Sequence, residues 1–147
     1  DMRETCNEKY DAIFNLFTSF GYFEDDADNH KTIKAIHNSL TETGFAVIDF
    51  MNVDYVVENL VADEVKSVDG IDFHIKRYLK DGHIYKEIDF EDKGEKFHFT
   101  EKVQALRLED FEKIMEEAGI YLLDIFGDYK LRKFFKTQSE RLIMIFK

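Results

Sequence analysis

Tyr10-Asp11-Ala12-Ile13-Phe14-Asn15-Leu16-Phe17-Thr18-Ser19-Phe20-Gly21-Tyr22-Phe23 is the stretch whose reading decides the fold. Ala12 to Phe17 is an apolar run broken only by Asn15. That pattern predicts a strand buried on both faces, as in a parallel sheet. The second half sets small polar residues and a glycine among Phe20, Tyr22 and Phe23. In open α/β sheets, ligands bind beyond the carboxyl ends of the strands. A strand ending at Asn15 and running into an aromatic loop therefore reads as a ligand edge. A core strand followed by an ordinary turn is the competing reading.

Working outward, a helix is expected after the acidic loop Phe23 to Asn29, with Asn29 as its N-cap. Ile33, Ile36 and Leu40 fall on its apolar face, and Gly44 supplies its stop. Phe45-Ala46-Val47-Ile48-Asp49-Phe50 is a second buried strand, closed by Met51-Asn52. Strand, helix and strand with short links make a βαβ unit. Asp49 and Asn52 then share a sheet edge with Asn15 and Tyr22. Asp49 reads equally well as a cap for a short helix over Asp54 to Val61.

From Val65 the period changes to two. Ile71, Phe73 and Ile75 alternate with polar residues, and Ile84, Ile88 and Phe90 continue the alternation beyond Lys80-Asp81-Gly82-His83. Phe97, Phe99, Val103 and Ala105 follow a second turn, Asp92-Lys93-Gly94-Glu95. This predicts an antiparallel meander of three strands and roughly forty residues. Leu108, Phe111, Ile114, Met115 and Ala118 then mark a helix ended by Gly119. Strands over Ile120 to Phe126 and Arg141 to Phe146 allow a closing antiparallel hairpin. The fold class is α/β, with a core of residues 1–57 and 107–147 and an antiparallel insert over 58–106.

The chain has 147 residues, 15 phenylalanines, no proline and a formal net charge of −11. That suits one packed domain. Such a surface repels phosphate backbones and anionic membranes, so neither nucleic acid nor membrane is expected as a main partner. One cysteine, Cys6, excludes an intramolecular disulfide and fits a reducing cytoplasm. His98 and Glu101 have no third ligand at useful spacing, so no metal site is expected. The cluster Lys130, Arg132, Lys133 and Lys136 reads as a solvated connector.

In element order the chain resembles the C-terminal portion of class I S-adenosylmethionine-dependent methyltransferases. Asp1-Met2-Arg3 looks like the end of their third-strand motif, and Tyr10-Asp11-Ala12-Ile13-Phe14-Asn15 like their fourth strand. Leu40-Thr41-Glu42-Thr43-Gly44-Phe45 is similar to the Leu-x-x-Gly-Gly turn before the fifth, with Thr43 in place of the first glycine. The insert, Phe99-Thr100-Glu101 and the helix after it resemble small-molecule members such as aminosugar N-methyltransferases. Ser139 to Lys147 is similar to the antiparallel seventh strand. The resemblance covers essentially the whole chain.

It implies a Rossmann-like sheet, S-adenosylmethionine as cofactor, and N- or O-methyl transfer to a small molecule. Carried over, Asp1, Met2, Asn15 and Leu16 touch the cofactor, and Phe20, Tyr22, Asn52, Arg77 and Tyr129 line the substrate. Tyr22, Asp49 or His74 accepts a proton from an amine substrate. The family's glycine-rich cofactor loop and ribose-binding acid are absent. The chain is therefore expected to be a fragment lacking roughly a hundred N-terminal residues, inactive alone. With its first strand unpaired on one side it is expected to form a homo-oligomer. A non-catalytic α/β module that binds or dimerises through its meander is the alternative.

Overall fold

The computed structural model describes residues 1–147 throughout. β1 (Tyr10–Asn15) leads through a loop to α1 (Asp26–Asn38), and β2 (Leu40–Met51) returns parallel to β1. After α2 (Val53–Glu58) come β3 (Asp63–Val68), β4 (Ile71–Lys80), β5 (His83–Asp92) and β6 (Glu95–Gln104). α3 (Leu108–Ala118), β7 (Leu122–Phe126) and β8 (Arg141–Phe146) complete the chain. Two four-stranded sheets result, ordered β1-β2-β8-β7 and β3-β4-β5-β6. β8 runs antiparallel to both of its neighbours, as the expected closing hairpin requires.

Apolar alternation builds the core. Ala46, Ile48 and Phe50 of β2 and Leu142, Met144 and Phe146 of β8 point to one face, where α1 and α3 cover them. Phe111 of α3 packs its ring on Phe20 and Phe50, with centroids 5.4 and 5.3 Å apart. α3 starts with the Arg107 amide donating to Asp110 at 2.8 Å and stops at Gly119, whose φ of 71° suits glycine.

Several expectations change. β1 is not buried on both faces. It is an edge strand, and both long helices pack on one side of the sheet, so Phe14 on the other side is 58% exposed and meets Phe45 edge-on. Asp25, not Asn29, caps α1, accepting from the Ala27 amide at 2.9 Å. In the acidic run the earliest residue able to cap does so. Asn29 is buried on the inner side and donates to Gln104. Gly44 is not a helix stop: α1 ends at Asn38 and β2 begins at Leu40. The β1–β2 register slips between Tyr10–Leu40 and Ala12–Phe45, and a side chain at 44 would sit 2.9 Å from the Tyr10 carbonyl oxygen. Close backbone approach is what demands glycine there.

The meander has four strands, not three. The added one is β3, joined to β4 by Asp69-Gly70, which has positive φ at both residues. Asp81-Gly82 and Lys93-Gly94 repeat the same two-residue turn, the kind whose twist matches paired strands. The second sheet is rooted on the first where the Gln104 amide donates to the Gly21 carbonyl at 2.8 Å and where Ile84 and Val103 enter the core.

The three-ring cluster should carry much of the stability. Phe111 is fully buried, so Phe111→Ala is expected to cost about 3–5 kcal/mol in urea unfolding. A loss below about 1 kcal/mol would show that the cluster is not the keystone.

Candidate functional site

β1 and β2 are parallel, so their carboxyl ends lie side by side. Asp49 sits there on β2, 1% exposed, on the face away from the long helices. Its carboxylate accepts from the Phe17 amide at 2.8 Å, from the Tyr129 hydroxyl at 2.9 Å and from Arg141 Nε at 2.7 Å. Arg141 opens β8 and also donates to Thr18 Oγ1 at 2.9 Å. The Tyr129 ring lies 5.9 Å from the Arg141 guanidinium. One carboxylate thus joins the loop after β1, the end of β2, the start of β8 and the turn after β7.

Beside this hub the Asn15 side chain accepts from Ser19 Oγ at 3.0 Å, and its amide lies 4.0 Å from the Met2 sulfur. The structure therefore brings together Met2 and Asn15, with Asp1 ion-paired to Arg3.

The second sheet contributes one face. Pleating places Arg77, Lys86 and Glu101 in one cross-strand row. Val103, on the same face as Glu101, lies under Gly21, 3.4 Å from where a side chain there would begin. This row therefore turns toward the loop that carries Tyr22. Arg77 pairs with Glu64 at 2.6 Å and holds that carboxyl below the usual range.

Other expected roles change. Phe20 has no exposed surface; it is core, not a substrate wall. Asn52 is buried and its amide donates to the carbonyls of Lys136 and Ser139 at 2.8 and 2.7 Å, so it fastens the connector before β8 instead of meeting substrate. None of the three expected bases suits that task. Asp49 already receives three donors. His74 pairs across from Asp89 on the face opposite Glu101. Tyr22 is half exposed, but burial of its hydroxyl and the Glu101 charge push its phenol up. It stays protonated at neutral pH and is not a base there. Sequence reasoning missed Phe17, Thr18 and Arg141. The only signal was an arginine at the mouth of an apolar strand.

No family model matches the chain. It is 27% identical over 124 residues to a glycine/sarcosine/dimethylglycine N-methyltransferase of Actinopolyspora halophila, a match spanning 83% of this chain and 21% of that enzyme. An S-adenosylmethionine-dependent methyltransferase from Clostridium acetobutylicum superposes with a TM-score of 0.85 at 25% identity, over all of this chain and 62% of that one. CalS10, an amino pentose methyltransferase from Micromonospora echinaspora, superposes at 0.71 with 15% identity, over 99% of this chain and 61% of that one. The chain thus spans about a fifth of the Actinopolyspora enzyme and under two thirds of these solved chains. Its fold is part of the Rossmann-like methyltransferase fold, as the element order implied.

Tyr129 offers a direct test of the hub. Burial of its hydroxyl, then the bond to Asp49, hold the phenol above its ordinary value. The protonated phenol is the bonding form, so its stabilising effect is complete below about pH 10 and disappears as pH climbs through the raised value. Melting temperatures of the wild type and Tyr129→Phe should differ in favour of the wild type near neutrality, and that advantage should shrink as pH rises past the ordinary phenol value. A difference that ignores pH would place the hydroxyl outside the hub.

Proposed function

We propose that residues 1–147 form part of an S-adenosylmethionine-dependent methyltransferase acting on a small molecule, with nitrogen the favoured acceptor. The observation that carries this reading is the joined ends of β1 and β2. There Met2, Asn15 and Leu16 supply a cofactor edge, and Tyr22 with the Arg77–Lys86–Glu101 row supplies a substrate side. The names of the similar enzymes support it: they methylate glycine derivatives or amino sugars.

The bound cofactor supplies an activated methyl group on sulfur. The chain's residues need only align an acceptor in line with it and keep water out. No base is required of them, because an amine that enters neutral is already nucleophilic. Tyr22 donates a hydrogen bond to a group beside the acceptor nitrogen, leaving that nitrogen's lone pair free, and Tyr129 stays with the hub. Residues 58–106 serve as a substrate-facing lid, 1–57 and 107–147 as the core beneath it. A cytoplasmic location suits such an enzyme. No helix is long and apolar enough to cross a membrane.

The test is transfer of labelled methyl from S-adenosylmethionine by the whole gene product, offered glycine, sarcosine or an amino sugar. Labelled N-methyl product is expected, whereas residues 1–147 alone should show no low-micromolar cofactor affinity in calorimetry. Failure to label any amine by the whole gene product would remove the proposal.

Assembly follows from the edge strand. β1 leaves one row of its backbone N–H and C=O groups without a strand partner, with Phe14 exposed beside it. Such an edge recruits another strand, and we propose that residues 1–147 self-associate through it. Sedimentation of the purified chain should show a dimer or larger species; a monomer at micromolar concentration would refute this.

A further inference from the structure

Phe17 and Thr18 both lie in the left-handed region, at φ 60° and 57°. Neither is glycine, and a β-branched threonine there is a true outlier because its side chain crowds the backbone. Such a conformation persists only where its surroundings impose it. Here the surroundings are explicit. The Asp49 carboxylate takes the Phe17 amide at 2.8 Å, and the Asp49 backbone carbonyl takes the Thr18 amide at 3.0 Å. Arg141, itself held by Asp49, donates to the Thr18 hydroxyl oxygen at 2.9 Å.

The strained turn does not bury its own Phe17. It leaves that ring 77% exposed, at the carboxyl end of a parallel strand pair. A large apolar ring carried on a bonded, strained backbone at that place is arranged for something that arrives later. We propose that Asp49 is a positioning residue whose carboxylate locks the left-handed Phe17-Thr18 turn, and that the locked turn presents the Phe17 ring as a platform for a flat or apolar part of the bound small molecule. The platform rests on the methyltransferase reading above; the lock does not.

Amide hydrogen exchange on residues 1–147 tests the lock. Asp49→Asn should speed exchange at Phe17 and Thr18 about tenfold or more while Ala46 to Ile48 stay protected. Arg141→Lys keeps a positive charge beside Asp49 but loses the planar fork that also reaches Thr18. It should fold even where Asp49→Asn does not, and should speed the Thr18 amide several-fold. Unchanged protection in a folded variant overturns the lock. For the platform, Phe17→Ala in the whole gene product should keep the melting temperature and lower kcat/KM about tenfold, with Phe17→Tyr restoring it. A rise in KM for S-adenosylmethionine assigns the ring to the cofactor, and a rise for the amine assigns it to the substrate. Wild-type kcat/KM in Phe17→Ala overturns the platform. A wild type with no methyl transfer defeats the functional reading and the platform with it, and leaves the exchange result to judge the lock alone.

Discussion

The ion pair between Asp49 and Arg141 is the interaction on which the upper edge of the sheet depends. A carboxylate as buried as Asp49 is tolerable only when its oxygens are fully engaged, and here they are. Engaging them draws in four separate pieces of chain. The guanidinium is suited to this because its fork reaches Asp49 and Thr18 together. Without the pair, the loop after β1 would lose two of the three bonds that hold its strained turn, and the turn at Tyr129 would lose its anchor.

This arrangement changes what the site asks of chemistry. A carboxylate that is buried and already receives three donors is closed to a substrate, and a phenol pushed up by burial and by Glu101 keeps its proton. The polar groups here hold shape. That is adequate for the methyl transfer proposed above, whose barrier yields to alignment. The second sheet suits the same division of labour. One of its faces turns a charged row toward the Tyr22 loop, while His74, His98 and Asp89 occupy the other.

Most of the fold was legible because its signals are local. Phe111, Ile114 and Met115 ahead of Gly119 mark a helix and its end within twelve residues (Leu108 to Gly119), and the Asp-Gly and Lys-Gly pairs mark turns wherever they fall. β3 escaped because only Val65 and Val68 are apolar in Asp63–Val68, too few to show a period. Gly44 was misread because a glycine that admits a neighbouring carbonyl looks the same in sequence as one that ends a helix. The site was least legible where it is least local. Asp49 and Arg141 are 92 positions apart, so no spacing rule links them. Phe20 has the composition of a ligand wall, and only the packing of Phe111 against it shows that it belongs to the core.

The strand order also governs how the chain is made. In the second sheet every pairing joins consecutive strands through a two-residue turn, so contacts are close in sequence and loop closure costs little. The first sheet is the reverse: β8 lies between β2 and β7, and Ala46 finds its partner at Phe146. During synthesis the meander can assemble as soon as it emerges, while β2 waits with its apolar faces bare. The first sheet cannot close until β8 has left the ribosome. β8 is therefore a latch, and a nascent chain stopped short of it holds a finished meander on an unfinished core.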